Sequence, residues 1–478
     1  MRRSFLRAAA ALAFFAASTT LATAQAGETL STTADATSVD VTVYNGDLAL
    51  VHDRRHVSFA GGPARIAWRD VAARMQPETA LLSEPTRPRD LSIVEQDFDY
   101  DVLGAGSILA KYVGHELTVT HAKAAPGRPA RETARLLAVN DGNVVLQYAD
   151  RIETSVDGQI SYPSLPRDLR DRPTLVLTVD TRSSGSHDLD LAYLTSGIAW
   201  HAEYAGVLAP GGKTMDLQGL VTLSNQSGAT YRDAHLQLVA GNVNAPPRFE
   251  QIRAMAAISA YPPPPTPAPI VEENYFEYHL YTVKRPTTIE QNQTKQIELL
   301  SAHAVPIVET LEIRGDGGYY RNASSDLGDK LPVQAYVTFA NKGGDLGVPL
   351  PGGSVRLYEN DGAGNSLFLG GDAVGHTPAN QDVRLHVGAS FDVTANKRQT
   401  DFTHVSSSED VSSYSIVVSN AKKEPADVLV VEQLPCAWSI SEESARHQKT
   451  SSATATWHLH VPASGSTKLD YRADVRCL

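Results

Sequence analysis

The stretch from Leu191 to Asn244, LAYLTSGIAWHAEYAGVLAPGGKTMDLQGLVTLSNQSGATYRDAHLQLVAGNVN, alternates apolar and polar residues as half-buried β-strands do. Near its start, Trp200 and Tyr204 point to one face of a strand, and His201 and Glu203 point to the other. The alternation recurs in Leu217, Gly219, Val221 and Leu223, and again in Ala234, Leu236, Leu238 and Ala240. Three such strands joined by glycine-rich turns predict an antiparallel sheet that packs on a second sheet.

The length and charge of the chain limit what it can be. A chain of 478 residues is too long for one hydrophobic core and predicts about three domains. Its formal net charge of −12 argues against nucleic acid as a partner, because nucleic-acid binding needs a basic surface. The same balance disfavours a polybasic contact with anionic lipid.

Residues 1–26 have the features of a secretory signal peptide. A basic start is followed by an apolar run, and the small residues Ala22, Ala24 and Ala26 suit a cleavage site. Arg2 and Arg3 leave open whether export uses the general secretory route or the twin-arginine route. No later apolar run reaches the ~18 residues that a membrane helix needs. We therefore expect a soluble, periplasmic or secreted protein with no membrane span.

Strand patterns and turn residues divide the rest of the chain into four segments. We predict an N-terminal β-domain at 27–105, a small SH3-like β-barrel at 106–165, a central β-sandwich at 166–375, and an immunoglobulin-like sandwich at 376–478. A proline-rich loop at 245–271 interrupts the central sandwich. The predicted fold class is therefore all-β and multi-domain.

One local unit recurs without a fixed period: a strand that ends in asparagine and is followed by a polar turn. It occurs as VTLSN ending at Asn225, YVTFAN ending at Asn341 and SIVVSN ending at Asn420. Asparagine suits a turn because it tolerates a left-handed backbone and bonds its own backbone. The recurrence indicates either related sandwich domains or convergent turn chemistry.

Three blocks of the sequence resemble a known bacterial family. They are FEYHLYTVKRPTTIEQNQTKQIELLSA (276–302), GVPLPGGSVRLYENDGAGNSLFLGGDAVGHTP (347–378) and GASFDVTANKRQTDF (388–402). They resemble the envelope family catalogued as domain of unknown function forty-one thirty-nine, which is similar to the C-terminal part of the mucoidy-inhibitor A proteins. The chain lacks the coiled-coil helices of those proteins. The resemblance implies an all-β secreted protein without an established activity, so it supplies no catalytic residue.

The two cysteines, Cys436 and Cys477, fall in the last predicted sandwich. Cys477 is in phase with the inward residues of the final strand, and Cys436 ends another strand. In an exported chain this arrangement predicts a disulfide between them. The alternative is a pair of buried free thiols.

Several polar clusters are candidates for metal or acid–base chemistry. Acidic residues at alternate positions form the first, namely Glu95, Asp97, Asp99 and Asp101. Histidines contribute three more, namely His458 with His460 and His447, His115-Glu116 with His121, and His201 with Glu203. Calcium and zinc need such ligands gathered around one point, whereas alternate strand residues lie about 7 Å apart. We interpret the acidic residues, the His458–His460 pair and the His201–Glu203 pair as solvated surface. His115-Glu116 with His121 misses the metalloprotease spacing, because Val119 stands where the second histidine must be. We predict no metal, no cofactor and no catalytic residue.

The function that we predict is a non-catalytic interaction or structural module of the cell envelope. Its expected partner is an envelope protein or a cell-wall polysaccharide. Two alternatives stay open, a glycan-binding protein and a hydrolase whose residues converge from separate strands. Exposed aromatic residues would favour the first, and the candidates are Tyr319 with Tyr320, and Tyr275 with Phe276 and Tyr278.

Overall fold

Most of the chain that the structure describes folds into strands. The computed structural model describes residues 28–99, 103–122, 129–140, 143–156, 158–164, 169–241, 270–275, 278–324, 327–328, 330–361 and 363–477. It is 66% strand and 4% helix, which confirms the predicted all-β, multi-domain fold class. The predicted signal peptide at 1–26 and nearly all of the predicted proline-rich loop at 245–271 lie outside the described residues. No described helix combines the length and the apolar character that a membrane crossing requires.

The elements are numbered in chain order. The strands are β1 (Glu28–Ser31), β2 (Ala36–Tyr44), β3 (Leu48–Phe59), β4 (Gly62–Arg69), β5 (Leu81–Ser83), β6 (Leu91–Asp99), β7 (Glu116–His121), β8 (Arg131–Asn140), β9 (Asn143–Gln147), β10 (Ile152–Glu153), β11 (Gly158–Ser161), β12 (Thr174–Thr181), β13 (Gly185–Thr195), β14 (Ile198–Leu208), β15 (Thr214–Asn225), β16 (Tyr231–Ala240), β17 (Ile270–Tyr275), β18 (Tyr278–Val283), β19 (Thr287–Ile289), β20 (Gln293–Arg314), β21 (Leu331–Ala340), β22 (Gly353–Asn360), β23 (Ser366–Val374), β24 (Asp382–Ser406), β25 (Glu409–Asn420), β26 (Ala426–Gln433), β27 (Ala437–Glu443), β28 (Gln448–Ser451), β29 (Thr454–Val461) and β30 (Gly465–Arg476). In the described part of the chain, one α-helix, α1 (Ala105–Lys111), precedes β7, and short 3₁₀ helices lie at Thr33–Asp35, Pro77–Thr79 and Gly317–Tyr320.

The residues divide into two compact units. Among the described residues, the first contains those within 28–35, 55–70 and 82–189, and the second contains those within 36–54, 71–81 and 190–477. A four-stranded sheet in the first unit has the order β1-β4-β12-β6, with β1 parallel to β4 and the other neighbours antiparallel. Trp68 on β4 and Leu175 on β12 are buried in its core.

A second sheet of the first unit follows helix α1. It has five strands in the order β10-β9-β8-β7-β11, with a core that includes Leu117, Val119, Leu136 and Leu146. The strands expected for the small barrel are therefore present. In the described part of the chain the sheet stays open, with β10 and β11 as its edges, so it is not a closed barrel, and its SH3-like character stays a prediction. Both edge strands are short, four residues or fewer, and leave few backbone groups to pair across a seam.

In the second unit, the three strands predicted from Leu191 to Asn244 are β14, β15 and β16, but they do not form one sheet. β14 and β15 form an antiparallel pair, whereas β16 pairs with β2 in parallel and with β18. The prediction of a single antiparallel sheet was therefore wrong at its third strand. The connection after Asn225 carries the chain from one sheet to another, as adjacent strands of a β-sandwich often do.

Each of the three recurring asparagines is buried at such a strand end and bonds more than its own turn. Asn225 Nδ2 donates to the carbonyl oxygens of Ala229 (2.8 Å) and Ile289 (3.2 Å), while its Oδ1 accepts from the Ser227 amide (3.0 Å). Asn341 and Asn420 each make a similar set of hydrogen bonds, with partners up to 37 and 42 residues away, respectively. These side chains therefore fix strand ends to distant backbone.

We expect Asn341→Ala to lower the free energy of unfolding by about 2–3 kcal/mol, because three partly buried backbone groups lose their hydrogen-bond partner. The groups affected are the Gly347 amide and the carbonyl oxygens of Val348 and Pro378. Urea unfolding measures the change. Asn322→Ala is the matched control, since that exposed amide makes a single 3.4 Å bond and should change stability by less than about 0.5 kcal/mol. Equal effects of the two changes would contradict the role of the buried asparagine.

The C-terminal strands form a sandwich around one core. Strands β24-β25-β30-β27 contribute one layer, and β26-β29-β28 contribute the other. Tyr414, Val430 and Trp457 lie in the shared core, which also contains Ile313 and Tyr320 from before residue 376. A sandwich is therefore present where we predicted one, and its immunoglobulin-like character stays a prediction.

Candidate binding cleft on a polar sheet face

A cleft of about 580 Å³ lies on the polar face of the sheet that contains β2, β3, β16 and β18. Strand alternation builds its wall: Asp40, Thr42 and Tyr44 of β2 line the cleft, whereas Val41 and Val43 are fully buried on the opposite face. The other lining residues are Leu50, His52 and Arg54 of β3, His235, Gln237 and Val239 of β16, and Leu280, Thr282, Val283 and Lys284 at β18 and just beyond it.

An arginine between two carboxylates organises one side of the cleft. Arg54 Nη1 donates to Asp40 Oδ2 at 2.7 Å, and Arg54 Nε lies 3.4 Å from Asp190 Oδ2. Each carboxylate also contacts a histidine: His235 Nδ1 lies 2.9 Å from Asp40, and His52 Nδ1 lies 3.1 Å from Asp190. The pairings hold both imidazole rings in fixed orientations, with Nδ1 engaged.

A row of uncharged polar groups crosses the middle of the cleft. Thr42 Oγ1 donates to Gln237 Oε1 at 3.2 Å, and Gln237 Nε2 donates to Thr282 Oγ1 at 3.4 Å. Lys284 is exposed at the rim and has no hydrogen-bond or ion-pair partner among the described residues. The cleft thus offers hydroxyl, amide, imidazole and ammonium groups on neighbouring strands.

Both histidines of the cleft pair with aspartates. In the described part of the chain, neither His52 nor His235 hydrogen-bonds a hydroxyl or thiol group that it could activate. The described residues also contain no group of three or more His, Cys, Asp or Glu side chains placed to hold a metal ion. What the cleft does supply is a set of oriented donors and acceptors.

Sequence reasoning did not find this cleft. In the sequence, Asp40 and Thr42 mark the polar face of β2, and His235 and Gln237 mark the polar face of β16. However, the two strands are separated by 195 residues at the Asp40–His235 contact, and nothing local indicates that they pair. The available signal was the presence of polar side chains at matching phase on different strands.

The acidic residues at alternate positions lie on β6, where Glu95 and Asp97 are at least partly exposed. Asp99 instead forms an ion pair with Arg170, whose Nε lies 3.0 Å from Asp99 Oδ2. Asp101 lies outside the described residues. The structure therefore pairs Asp99 with an arginine, and among the described residues these acidic side chains do not form a group placed to hold a metal ion.

The histidine candidates are divided among separate carboxylates. His460 pairs with Asp427 at 2.8 Å, His447 pairs with Glu443 at 2.9 Å, and His121 pairs with Glu132 at 2.8 Å. His121 is the last residue of strand β7. Its spacing from His115 is therefore not that of two residues on one helix. His458 is exposed on β29.

His201 and Glu203 do share a face, with Nε2 and Oε1 3.3 Å apart. Glu203 is also bound by Arg356, whose Nη1 donates to Oε2 at 2.9 Å. That hydrogen bond holds the pKa of the Glu203 carboxyl below its usual range. The carboxyl is therefore ionised at neutral pH and is not poised to act as a general acid.

The last candidates are the aromatic residues that could form an exposed platform for a glycan. Tyr320 is fully buried and Tyr319 packs beside it, with ring centroids 5.0 Å apart, so the interpretation of this pair as an exposed platform was wrong. Both side chains turn inward because their hydroxyl groups bond the buried Glu432. The side chains of Tyr275 and Phe276 lie outside what the structure describes, and Tyr278 is half-buried.

The predicted disulfide is present. Cys436 and Cys477 are joined, with sulfur atoms 2.04 Å apart and α-carbons 5.2 Å apart. The link joins the start of β27 to the end of β30, which are neighbours in one sheet. It closes the C-terminal sandwich at its last described strand.

Comparison with known proteins places the chain in a family. No curated protein matches it. Residues 189–477, more than half of the chain, match the family described as Domain of unknown function (DUF4139). The match covers β14 to β30, including the strands β16 and β18 that form one side of the cleft. The chain therefore belongs to the DUF4139 family.

Proposed function

We propose that this chain is an exported, non-catalytic protein of the cell envelope, and that the cleft on β2, β3, β16 and β18 binds a polar ligand, a cell-wall polysaccharide. The observation that carries the proposal is the cleft itself, in which oriented polar side chains line about 580 Å³ without an activated nucleophile among the described residues. The features of residues 1–26 support export.

The chemistry of the lining favours a glycan. Sugar hydroxyls both donate and accept hydrogen bonds, and so do Thr42 and Thr282 and the amide of Gln237. Arg54 is already matched by Asp40 and Asp190, so the centre of the cleft carries little uncompensated charge for a strongly ionic ligand. Tyr44 adds an aromatic ring to the wall, against which the apolar face of a sugar can pack.

The likeness of the family to the C-terminal part of the mucoidy-inhibitor A proteins belongs to the same proposal. It is a likeness of sequence blocks, and the two blocks at 347–378 and 388–402 lie in strands β22 to β24. It supports an envelope role and does not identify a ligand. The cleft supplies the physical argument for one.

Binding to isolated cell-wall polysaccharide tests the proposal. We expect the double variant His235→Ala/Gln237→Ala to bind about tenfold more weakly than the unchanged protein, because it loses polar contacts at the middle of the cleft. His460→Ala is the matched control. Its imidazole is similarly exposed and also pairs with an aspartate, Asp427, at 2.8 Å against 2.9 Å for His235 and Asp40.

The control should bind as the unchanged protein does. Equal binding by all three proteins, or binding by none of them, would overturn the polysaccharide assignment. The protein for this experiment is taken from the periplasmic fraction of the producing cells. Recovery from the cytosol alone, with residues 1–26 retained, would contradict export.

A further inference from the structure

Two oppositely charged side chains meet in the dry core of the C-terminal sandwich. Lys397 of β24 and Glu432 of β26 come from different layers, and their side chains are only 3% and 0% exposed. Lys397 Nζ lies 2.6 Å from Glu432 Oε1. An amine and a carboxyl group held this close are reactants at a very high effective concentration.

Four tyrosine rings enclose the amine. Its Nζ lies 4.0 Å from the ring centroid of Tyr319, 5.0 Å from that of Tyr414, and 5.9 Å from those of Tyr320 and Tyr471. Tyr320 and Tyr471 are themselves buried. We call Lys397, Glu432 and these four tyrosines the Lys397 cluster. Its rings surround the amine with apolar surface.

Two tyrosine hydroxyl groups donate hydrogen bonds to the other oxygen of the Glu432 carboxyl group. Tyr319 and Tyr320 donate to Glu432 Oε2 at 2.5 and 2.9 Å, and Lys397 Nζ also donates to the Tyr319 hydroxyl at 2.5 Å. The Tyr319 hydroxyl therefore bridges the amine and the carboxyl group. Gly315 closes the same side, since a β-carbon there would lie 1.9 Å from Oε2.

Keeping this pair ionised is costly. Charges taken out of water lose hydration that their mutual attraction only partly replaces. Burial lowers the pKa of Lys397, although Glu432 opposes the shift, and burial raises the pKa of Tyr319 well above its ordinary value. Burial therefore shifts both groups toward their neutral forms, and a neutral amine is the form that attacks a carboxyl carbon.

We propose that Lys397 and Glu432 form an intramolecular amide cross-link between β24 and β26. The ammonium group first passes one proton to the carboxylate through the Tyr319 hydroxyl. The neutral Nζ then attacks Cδ of the carboxylic acid, the new N–C bond forms, and the bond from Cδ to one oxygen breaks. That oxygen leaves with two hydrogens as water. The reaction needs no oxidant, reductant or co-reactant.

In this scheme Tyr319 is a positioning and proton-transfer residue, and Tyr320 polarises the carboxyl group. The Asp316 backbone amide donates to the Tyr319 hydroxyl at 2.8 Å, so the 3₁₀ helix Gly317–Tyr320 holds that hydroxyl in place. The product would join the two layers of the sandwich covalently. Together with the disulfide, it would give the C-terminal sandwich two separate cross-links.

Mass spectrometry of the unchanged mature protein decides the question without any variant. After reduction and denaturation, we expect an intact mass lower than that of the sequence by one water molecule. Proteolysis should yield a branched peptide that joins the segment around Lys397 to the segment around Glu432. Recovery of both segments as separate linear peptides, at the full sequence mass, would overturn the proposal.

Two variants identify the reacting groups. Lys397→Met should show its full calculated mass. Glu432→Gln should form the same amide by loss of ammonia and so arrive at the final mass of the unchanged protein, a result that a simple ion pair does not give. Tyr319→Phe should leave part of the protein unlinked at early times after synthesis. A water loss that persists in Lys397→Met would contradict the assignment to Lys397.

Discussion

Glu432→Leu is expected to lower the free energy of unfolding by about 3–5 kcal/mol, the usual effect of leaving one member of a buried charge pair without its partner. In that variant Lys397 would remain inside the ring of tyrosines with no carboxylate beside it. Guanidinium unfolding followed by tryptophan fluorescence measures the change, since Trp457 lies in the same core. This magnitude applies to protein in which the two side chains are still an ion pair and have not been joined.

The double variant Lys397→Met/Glu432→Leu is the control. It replaces both groups by apolar side chains of similar volume, which at buried pairs is often close to neutral. We therefore expect the double variant to regain most of the lost stability. A double variant less stable than Glu432→Leu would contradict the argument that an unpaired buried charge is the cause.

The pH dependence of Glu432→Leu follows from the same burial. Burial lowers the pKa of Lys397 below its ordinary value of 10.5, and the carboxylate that opposes this shift is missing from the variant. Between the lowered pKa and 10.5 the unfolded chain binds a proton that the folded chain does not. Stability should therefore rise as the pH is raised through this window, relative to the double variant, which lacks the amine.

Removing the disulfide should have an effect of comparable size. In the chain-entropy account, opening a loop with a sequence separation of 41 residues costs about 4 kcal/mol. We expect the Cys436→Ser/Cys477→Ser variant to unfold at a correspondingly lower denaturant concentration. Serine keeps the β-carbon at Cys436, where φ is 59°, so the backbone cost of that left-handed residue stays the same in both proteins.

The unchanged protein in excess reductant is the second arm of this experiment. It should unfold as the double serine variant does, because both lack the covalent loop. If the reduced protein keeps the stability of the oxidised one, the link contributes little and the loop-entropy account fails for this sandwich. Measuring intact mass beside each unfolding curve confirms the state of the thiols.

Local alternation predicted the strands because burial repeats every second residue along each of them. Trp200 and Tyr204 are buried as expected, and His201 between them is exposed. Which strands become neighbours was beyond the sequence. β16 follows β15 directly in the sequence, yet it pairs with β2, which comes near the start of the described chain. The cleft depends on that pairing, which no local pattern of the sequence indicates.

The sequence contains a signal that indicates the Lys397 cluster. Lys397 is in phase with the buried Val393 and Ala395, and Glu432 is in phase with the buried Val428 and Val430. A charged residue at an inward position of a strand, found once on each of two strands, predicts a buried pair. Tyr319 and Tyr320 misled for a related reason, because adjacent tyrosines outside a strand do not reveal which way their hydroxyl groups turn.

The buried asparagines bear on the order in which the protein can be completed during synthesis. Asn225 needs a carbonyl oxygen from Ile289, 64 residues further along, and Asn420 needs one from Pro462, 42 residues further along. A ribosome must therefore add those later segments before either strand end can close. Until then each nascent strand end carries an amide without its final acceptor, which postpones its docking until the later segment has been synthesised.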